Sequence, residues 1–177
     1  MGIPSSQIEV CILAGGLSTR MGREKARLKF RGHTLLGHAR ALVDEVGLPC
    51  RIIRRDAVSR CGPLGGIITA LRTTKLSRVL FLSCDMPFVT PALVQRLLDD
   101  TGPNVFVETN GRVGFPFCLA AIALAMAEAQ HAEGHYSLPA FAGNLESGRV
   151  ALGGDMADQL FNINTPEDLE SALKRGA

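Results

Sequence analysis

The chain has 177 residues, 46% of them hydrophobic and 20% charged, with a formal net charge of +2 at pH 7. That length and apolar content suffice for one sizeable core, and they predict a single domain over residues 1–177. A balance this mild gives no charge-based reason to expect a nucleic-acid partner or an anionic membrane, and any basic site is local. The N-terminus MGIPSSQIEV lacks the basic and apolar regions of a signal peptide, and the longest apolar stretch, residues 117–127, is too short to span a bilayer. The five cysteines, Cys11, Cys50, Cys61, Cys84 and Cys118, form no Cys-x-x-Cys pair and read as reduced thiols. Together these features predict a cytoplasmic protein with no membrane and no nucleic-acid partner.

The first element is a short apolar run, Val10-Cys11-Ile12-Leu13, suited to a buried strand of a parallel sheet. Ala14-Gly15-Gly16 then remove side-chain bulk where the chain turns, which allows positive φ or a close backbone approach. Ser18, Thr19, Arg20, Gly22, Arg23 and Lys25 follow, a small-polar-basic loop of the kind that holds phosphate oxygens with amide donors and cations. Two readings stand: a nucleotide triphosphate cradle, or a tight strand-to-helix turn with solvated cations. The stretch is neither a phosphate loop ending in Gly-Lys-Ser/Thr nor a Gly-x-Gly-x-x-Gly fingerprint.

Residues 28–30 and 31–34 read as an extended piece and a turn. Thr34 then caps a helix on which Leu35, Leu36, Ala39, Leu42 and Val43 recur at helical spacing, and Gly47 and Pro49 end it. Residues 50–55 suit an edge strand. Gly62-Pro63-Leu64-Gly65-Gly66 is a second glycine-rich turn, predicted to lead into a helix over 67–71 that reaches as far as Thr73. Residues 78–84 form a buried strand ending at Asp85. Thr90-Pro91 opens a helix through Leu98. Residues 104–108 and 115–120 pair through an Asn110-Gly111 hairpin turn. Helices are predicted over 119–128 and from Ser137 to Phe141, and strands over 148–152 and 161–163. In the last helix Thr165 caps, Pro166 sits first, Glu167 and Asp168 favour the positive end, and Leu169 and Leu173 face the core. Strands alternating with helices predict a layered α/β fold whose ligand site lies at the carboxyl ends of the strands.

Asp85 follows a buried strand at that end of the sheet, well placed to hold Mg²⁺, a hard cation that takes oxygen ligands. The alternative is an aspartate that starts the turn before Pro87. His131 and His135 with Glu133 between them have the spacing of a metal pair, or of a solvated helix end. Arg51, Arg54, Arg55 and Arg60 form a basic run that suits either an anion or a charged edge strand.

Leu13-Ala14-Gly15-Gly16, Arg20-Met21-Gly22, Lys25 and Phe30-Arg31-Gly32 with Leu35-Leu36 together resemble the signature of the molybdenum cofactor guanylyltransferases. Gly62-Pro63-Leu64-Gly65-Gly66-Ile67, Cys84-Asp85-Met86-Pro87 and residues 162–169 (NINTPEDL) resemble further motifs of that family, in family order. The resemblance implies an α/β, Rossmann-like three-layer nucleotidyltransferase fold with a mostly parallel central sheet. It implies transfer of GMP from GTP to the molybdopterin cofactor with release of pyrophosphate, and molybdoenzymes or other cofactor-biosynthesis proteins as partners. By the same resemblance, Asp85 and Asn164 hold Mg²⁺, while Arg20 and Lys25 neutralise the triphosphate and the departing pyrophosphate. Leu13, Ala14, Gly15 and Gly16, Asp56, and Gly62, Pro63 and Leu64 are the implied nucleotide contacts. The Leu-Ala-Gly-Gly start favours the guanylyl branch over the cytidylyl one, whose members usually carry Leu-Ala-Ala-Gly. Two departures bear on this. The interval 47–56 has room for one strand, where the family usually carries a strand with a nucleotide-contacting asparagine, a helical segment and another strand. The segment Gly114-Phe115-Pro116-Phe117 lacks the histidine many relatives have before the proline. A cytidylyltransferase, a nucleotidyltransferase for another phosphorylated acceptor, and an accessory protein that binds nucleotide without turnover are the rival readings.

Overall fold

The computed structural model describes residues 7–15, 25–54 and 61–175. Six strands form the central sheet, β1 (Ile8–Leu13), β4 (Cys50–Ile53), β5 (Arg78–Ser83), β6 (Val105–Thr109), β7 (Arg112–Ala120) and β8 (Gly148–Ala151), in the order β4-β1-β5-β7-β6-β8. β4, β1 and β5 pair in parallel, as do β6 and β8, and β7 runs antiparallel between β5 and β6. The sheet is therefore mostly parallel, with one reversed strand supplied by the hairpin at Asn110-Gly111. Both turn residues have positive φ, 50° and 72°, which is what the residue pair predicts for a two-residue hairpin. β2 (Lys29–Phe30) and β3 (His33–Thr34) form a smaller ribbon of the same kind, turning through Arg31 and Gly32.

Helices cover both faces. α1 (Leu35–Val46) and α3 (Pro91–Asp99) pack on the side where Val10, Ile12, Leu80 and Leu82 point, while α2 (Pro63–Thr73), α4 (Leu124–Ala132) and α5 (Leu138–Gly143) cover Cys11, Val79, Phe81 and Phe117. The period-two alternation of each strand thus feeds two separate apolar layers, as a strand buried on both faces requires. A third cluster, Phe30, Leu35, Ile163 and Ala172, packs beneath α6 (Pro166–Lys174) with Phe88, Phe161 and Leu169 around it. The caps are those the sequence predicts. Thr34 Oγ1 accepts from the Gly37 N–H, Gly47 ends α1 in the left-handed region, and Thr90 and Thr165 cap α3 and α6.

Four predicted details differ. α2 begins at Pro63, because proline at the first helical position is already compatible with the turn geometry. Residues 119 and 120 continue β7, paired with Val79 and Arg78 of β5, so the next α-helix starts only at Leu124; ladder pairing overrides the helical composition there. Residues 161–163 form no strand; the Ile163 N–H donates to Asp85 O at 2.9 Å and the Phe161 N–H to Asp158 O at 3.2 Å. Leu173 is 48% exposed, and Ala172 occupies the buried position instead. No disulfide joins the five cysteines; burial pushes the Cys11 and Cys118 thiols up to about 12 and about 11.

Candidate functional site

β1 delivers Leu13, Ala14 and Gly15 to the carboxyl end of the sheet, between its two parallel neighbours. The Ala14 N–H donates to Ile53 O at 2.9 Å on the β4 side, and Leu13 O accepts from the Cys84 N–H at 3.3 Å on the β5 side. Gly15 is needed for space rather than for positive φ. A methyl group there would lie 2.9 Å from the Arg54 carbonyl oxygen and 3.2 Å from its carbon. α2 leaves from the same end, since its last turn reaches Arg51 beside Glu9 at the other end of the strands. Gly62, with φ 56° and ψ −143°, and Pro63 and Leu64 therefore begin α2 at the edge where Asp85 stands. That backbone conformation is open essentially to glycine alone. Gly16, Arg20 and Asp56 lie outside the described residues, as do Arg55 and Arg60.

Three segments far apart in sequence meet beyond Leu13. Lys25 begins a 3₁₀ turn, Lys25–Arg27, anchored by the buried Ala26. Its Nζ lies 2.5 Å from Asn164 Oδ1 and 3.2 Å from Asp85 Oδ2. The other Asp85 oxygen, Oδ1, accepts from the Ser83 hydroxyl at 2.5 Å. The Lys25 and Asp85 side chains are 22% and 16% exposed, a screened but not solvent-flooded pair. The α6 cap holds Asn164 in place. Asp168 Oδ2 accepts from the Asn164 and Thr165 N–H groups, both at 2.8 Å, and the Asp168 N–H donates to Thr165 Oγ1 at 3.1 Å. The Asn164 N–H first, then Thr165 and the Lys25 charge, hold the Asp168 carboxyl below the usual carboxylate range against the opposing effect of its burial.

Beside this cluster, Phe88 packs edge-on against Phe30, with ring centroids 5.5 Å apart, and Arg31 lies over both rings. β7 also shifts register here. Its ladder with β6 passes from Phe117 to Gly114, so Phe115 and Pro116 have no partner on that side and proline costs no ladder bond.

The arrangement brings Leu13, Ala14, Gly15, Lys25, Asp85 and Asn164 to one sheet end. Ser83 and Asp168 are its unforeseen members: a hydroxyl two residues before the strand-end aspartate and an acidic capping residue were the available signals. Of the basic run, Arg54 follows β4 at that end, beside Gly15, and Arg51 does not lie there. Arg51 makes a bidentate pair with Glu9, at 2.6 and 2.7 Å, and donates to Thr73 Oγ1 and Ala70 O, so it closes the opposite end of the sheet. Glu133 and His135 form an exposed pair at 3.6 Å, and no group of three His, Cys, Asp or Glu side chains able to hold a metal occurs among the described residues. A metal at the Asp85 end would thus rest on one carboxylate and one amide oxygen. These hard donors suit Mg²⁺, which keeps several waters and takes further oxygens from phosphates, and they already hold an ammonium cation here.

The sequence profile of the MobA-like NTP transferase domain matches residues 10–147. A protein of Opitutus terrae described as a probable molybdenum cofactor guanylyltransferase is 31% identical, with all of both chains covered. Among solved structures, molybdopterin-guanine dinucleotide biosynthesis protein A of Archaeoglobus fulgidus superposes with a TM-score of 0.71 at 21% identity, over 93% of this chain and 96% of that one. A Mycobacterium tuberculosis protein solved as a complex with manganese gives 0.66 at 18% identity, over 96% and 99%. The layered α/β fold with its mostly parallel sheet is common to these structures. No helix among the described residues is long and apolar enough to cross a membrane.

Proposed function

Since this chain belongs to the MobA-like NTP transferase family, we propose that it transfers GMP from GTP to the molybdenum-carrying molybdopterin cofactor, releasing pyrophosphate. The observation that carries this reading is the convergence of Lys25, Asp85 and Asn164 beside the Leu13–Gly15 turn. The likeness to the Opitutus terrae protein, over the whole of both chains, supports the same reaction. Leu13, Ala14 and Gly15, with Gly62, Pro63 and Leu64 across the sheet end, form the nucleotide side of the site, and the family resemblance assigns nucleotide contacts to Gly16 and Asp56 as well. Asp85 and Asn164 would hold Mg²⁺, and Lys25 and Arg20 would receive the phosphate charge. When bound, such a metal would supply charge neutralisation on the phosphates of the nucleotide, whose α-phosphorus the acceptor phosphate attacks with pyrophosphate leaving. This chain's own work is positioning and electrostatics: Ser83 fixes the Asp85 carboxylate, the α6 cap fixes Asn164, and no covalent nucleophile is needed. The manganese complex of a protein with the same fold lends the divalent metal further support. We assign the protein to the cytoplasm, acting on GTP and molybdopterin cofactor and handing its product to molybdoenzymes or other cofactor-biosynthesis proteins.

A thermal-shift panel of GTP, CTP and ATP, each with and without Mg²⁺, tests this, because a ligand that binds only the folded state raises apparent stability. Mg²⁺-dependent stabilisation selective for GTP is expected. Selectivity for CTP would move the chain to the cytidylyl branch. A second reading, an accessory protein without turnover, rests on the single edge strand β4 found among the described residues between α1 and Gly62. GTP binding without pyrophosphate release in the presence of purified cofactor would favour it.

A further inference from the structure

The two oxygens assigned to a divalent cation, Asp85 Oδ2 and Asn164 Oδ1, are the two that the Lys25 ammonium contacts, at 3.2 and 2.5 Å. Asp85 Oδ1 is engaged by Ser83. A divalent ion taking both oxygens must therefore meet the ammonium at the same point, in a site where screening is incomplete. Net charge then separates two cases. Lys25 with Asp85 is neutral; adding a divalent ion alone gives the pair two net positive charges, and Asp168, the carboxylate that also senses Lys25, is committed to the Asn164 and Thr165 N–H groups. Adding the ion together with a triphosphate gives the displaced ammonium new anionic partners.

We propose that Lys25 is the internal counter-cation of Asp85 and Asn164, and that metal and phosphate chain enter this site cooperatively, the metal displacing the ammonium and the phosphates receiving it. The proposal rests on the nucleotidyltransferase reading of the same site. It gives Lys25 two partner sets that exclude each other, and so makes the ion-only complex weak. By linkage the same coupling makes the nucleotide bind more tightly with metal than without it.

The test is a nucleotide-free titration of the full chain with Mn²⁺, followed by the electron paramagnetic resonance of the free ion. Lys25→Met removes the ammonium and is expected to tighten Mn²⁺ binding about tenfold, equivalent to about 1.4 kcal/mol. Lys25→Gln gives the same result and serves if the methionine variant does not fold. Lys25→Arg, which retains the charge, keeps the wild-type affinity. Unchanged or weaker Mn²⁺ binding in Lys25→Met and Lys25→Gln would overturn the proposal, as would equal tightening in Lys25→Arg. Asp85→Asn separates the two levels: loss of Mn²⁺ binding agrees with the metal assignment, and retention of it would sink that assignment whatever the lysine variants do.

Discussion

Gly15→Ala adds one methyl group where the backbone leaves no space for it. The new carbon would lie 2.9 Å from the Arg54 carbonyl oxygen, and ordinary contact begins at 3.4 Å, so something must yield by about 0.5 Å. Arg54 cannot move alone, because it follows Ile53, whose carbonyl accepts the Ala14 N–H at 2.9 Å and whose strand is paired with β1. The strain therefore separates the ends of β1 and β4 or pushes the turn outward. Overpacking of this kind costs about 1–3 kcal/mol. In a chain of this size that lowers Tm by roughly 2–12 °C. The same shift displaces the Leu13–Gly15 backbone, and since a misplacement of about 1 Å can cost a factor of about 10², a loss of about tenfold in GTP affinity is expected. Differential scanning calorimetry without ligand and a GTP titration measure the two effects. Gly143→Ala is the control: nothing lies within 4 Å of its added methyl group, and Tm should hold or rise slightly. A Gly15→Ala protein that melts and binds GTP like the wild type would refute the steric account of this glycine.

Asn104→Ala should cost about 2–3 kcal/mol in urea unfolding, since the buried amide serves two backbone groups, accepting from the Ala120 N–H at 3.1 Å and donating to Glu146 O at 3.0 Å; a loss below about 0.5 kcal/mol would mean those groups find water instead. The Asp168 carboxyl is held below its ordinary 3.8, so its contribution is fully present above that value and is lost as pH falls through the depressed one. Asp168→Asn should accordingly be less stable than wild type at neutral pH, with the gap starting to close only as pH falls below the ordinary 3.8 and vanishing once it has passed the depressed value. A gap that persists unchanged into the acid limb would show that the carboxylate charge is not what the α6 cap uses.

Much of the fold was legible because its signals are local. Thr34, Thr90 and Thr165 each sit where a hydroxyl can accept the first free N–H groups of a helix, and Asn110-Gly111 can turn a hairpin without strain. The errors fall where a long-range partner outweighs local preference. Leu119 and Ala120 have helical neighbours in sequence, yet β5 offers them a ladder in the sheet. Phe161-Asn162-Ile163 has strand composition, but no strand among the described residues pairs with it, and the Ile163 N–H turns to Asp85 O instead.

The site divides along the same line. That Asp85 stands at a strand end, and that Lys25 belongs to a basic turn, follow from residue types within a few positions. Their meeting does not, because Lys25 and Asn164 are 139 residues apart and come together through long-range contacts, among them the Ile163–Asp85 backbone bond and the packing of Ile163 with Phe30 and Leu35. Nor could spacing reveal that Gly15 answers to Arg54 rather than to its own φ, since the close approach belongs to the register of β1 against β4. Arg51 is the converse case. As part of a basic run it suggested an anion site, but the parallel pairing of β4 with β1 sets it against Glu9, and a cation already holding a bidentate carboxylate is a poor receptor for another anion. What distinguishes Lys25 from Arg51 is therefore geometry rather than residue type: Lys25 meets the Asp85 carboxylate at 3.2 Å at the carboxyl end of the sheet, where the proposed phosphate chain would take that partner's place.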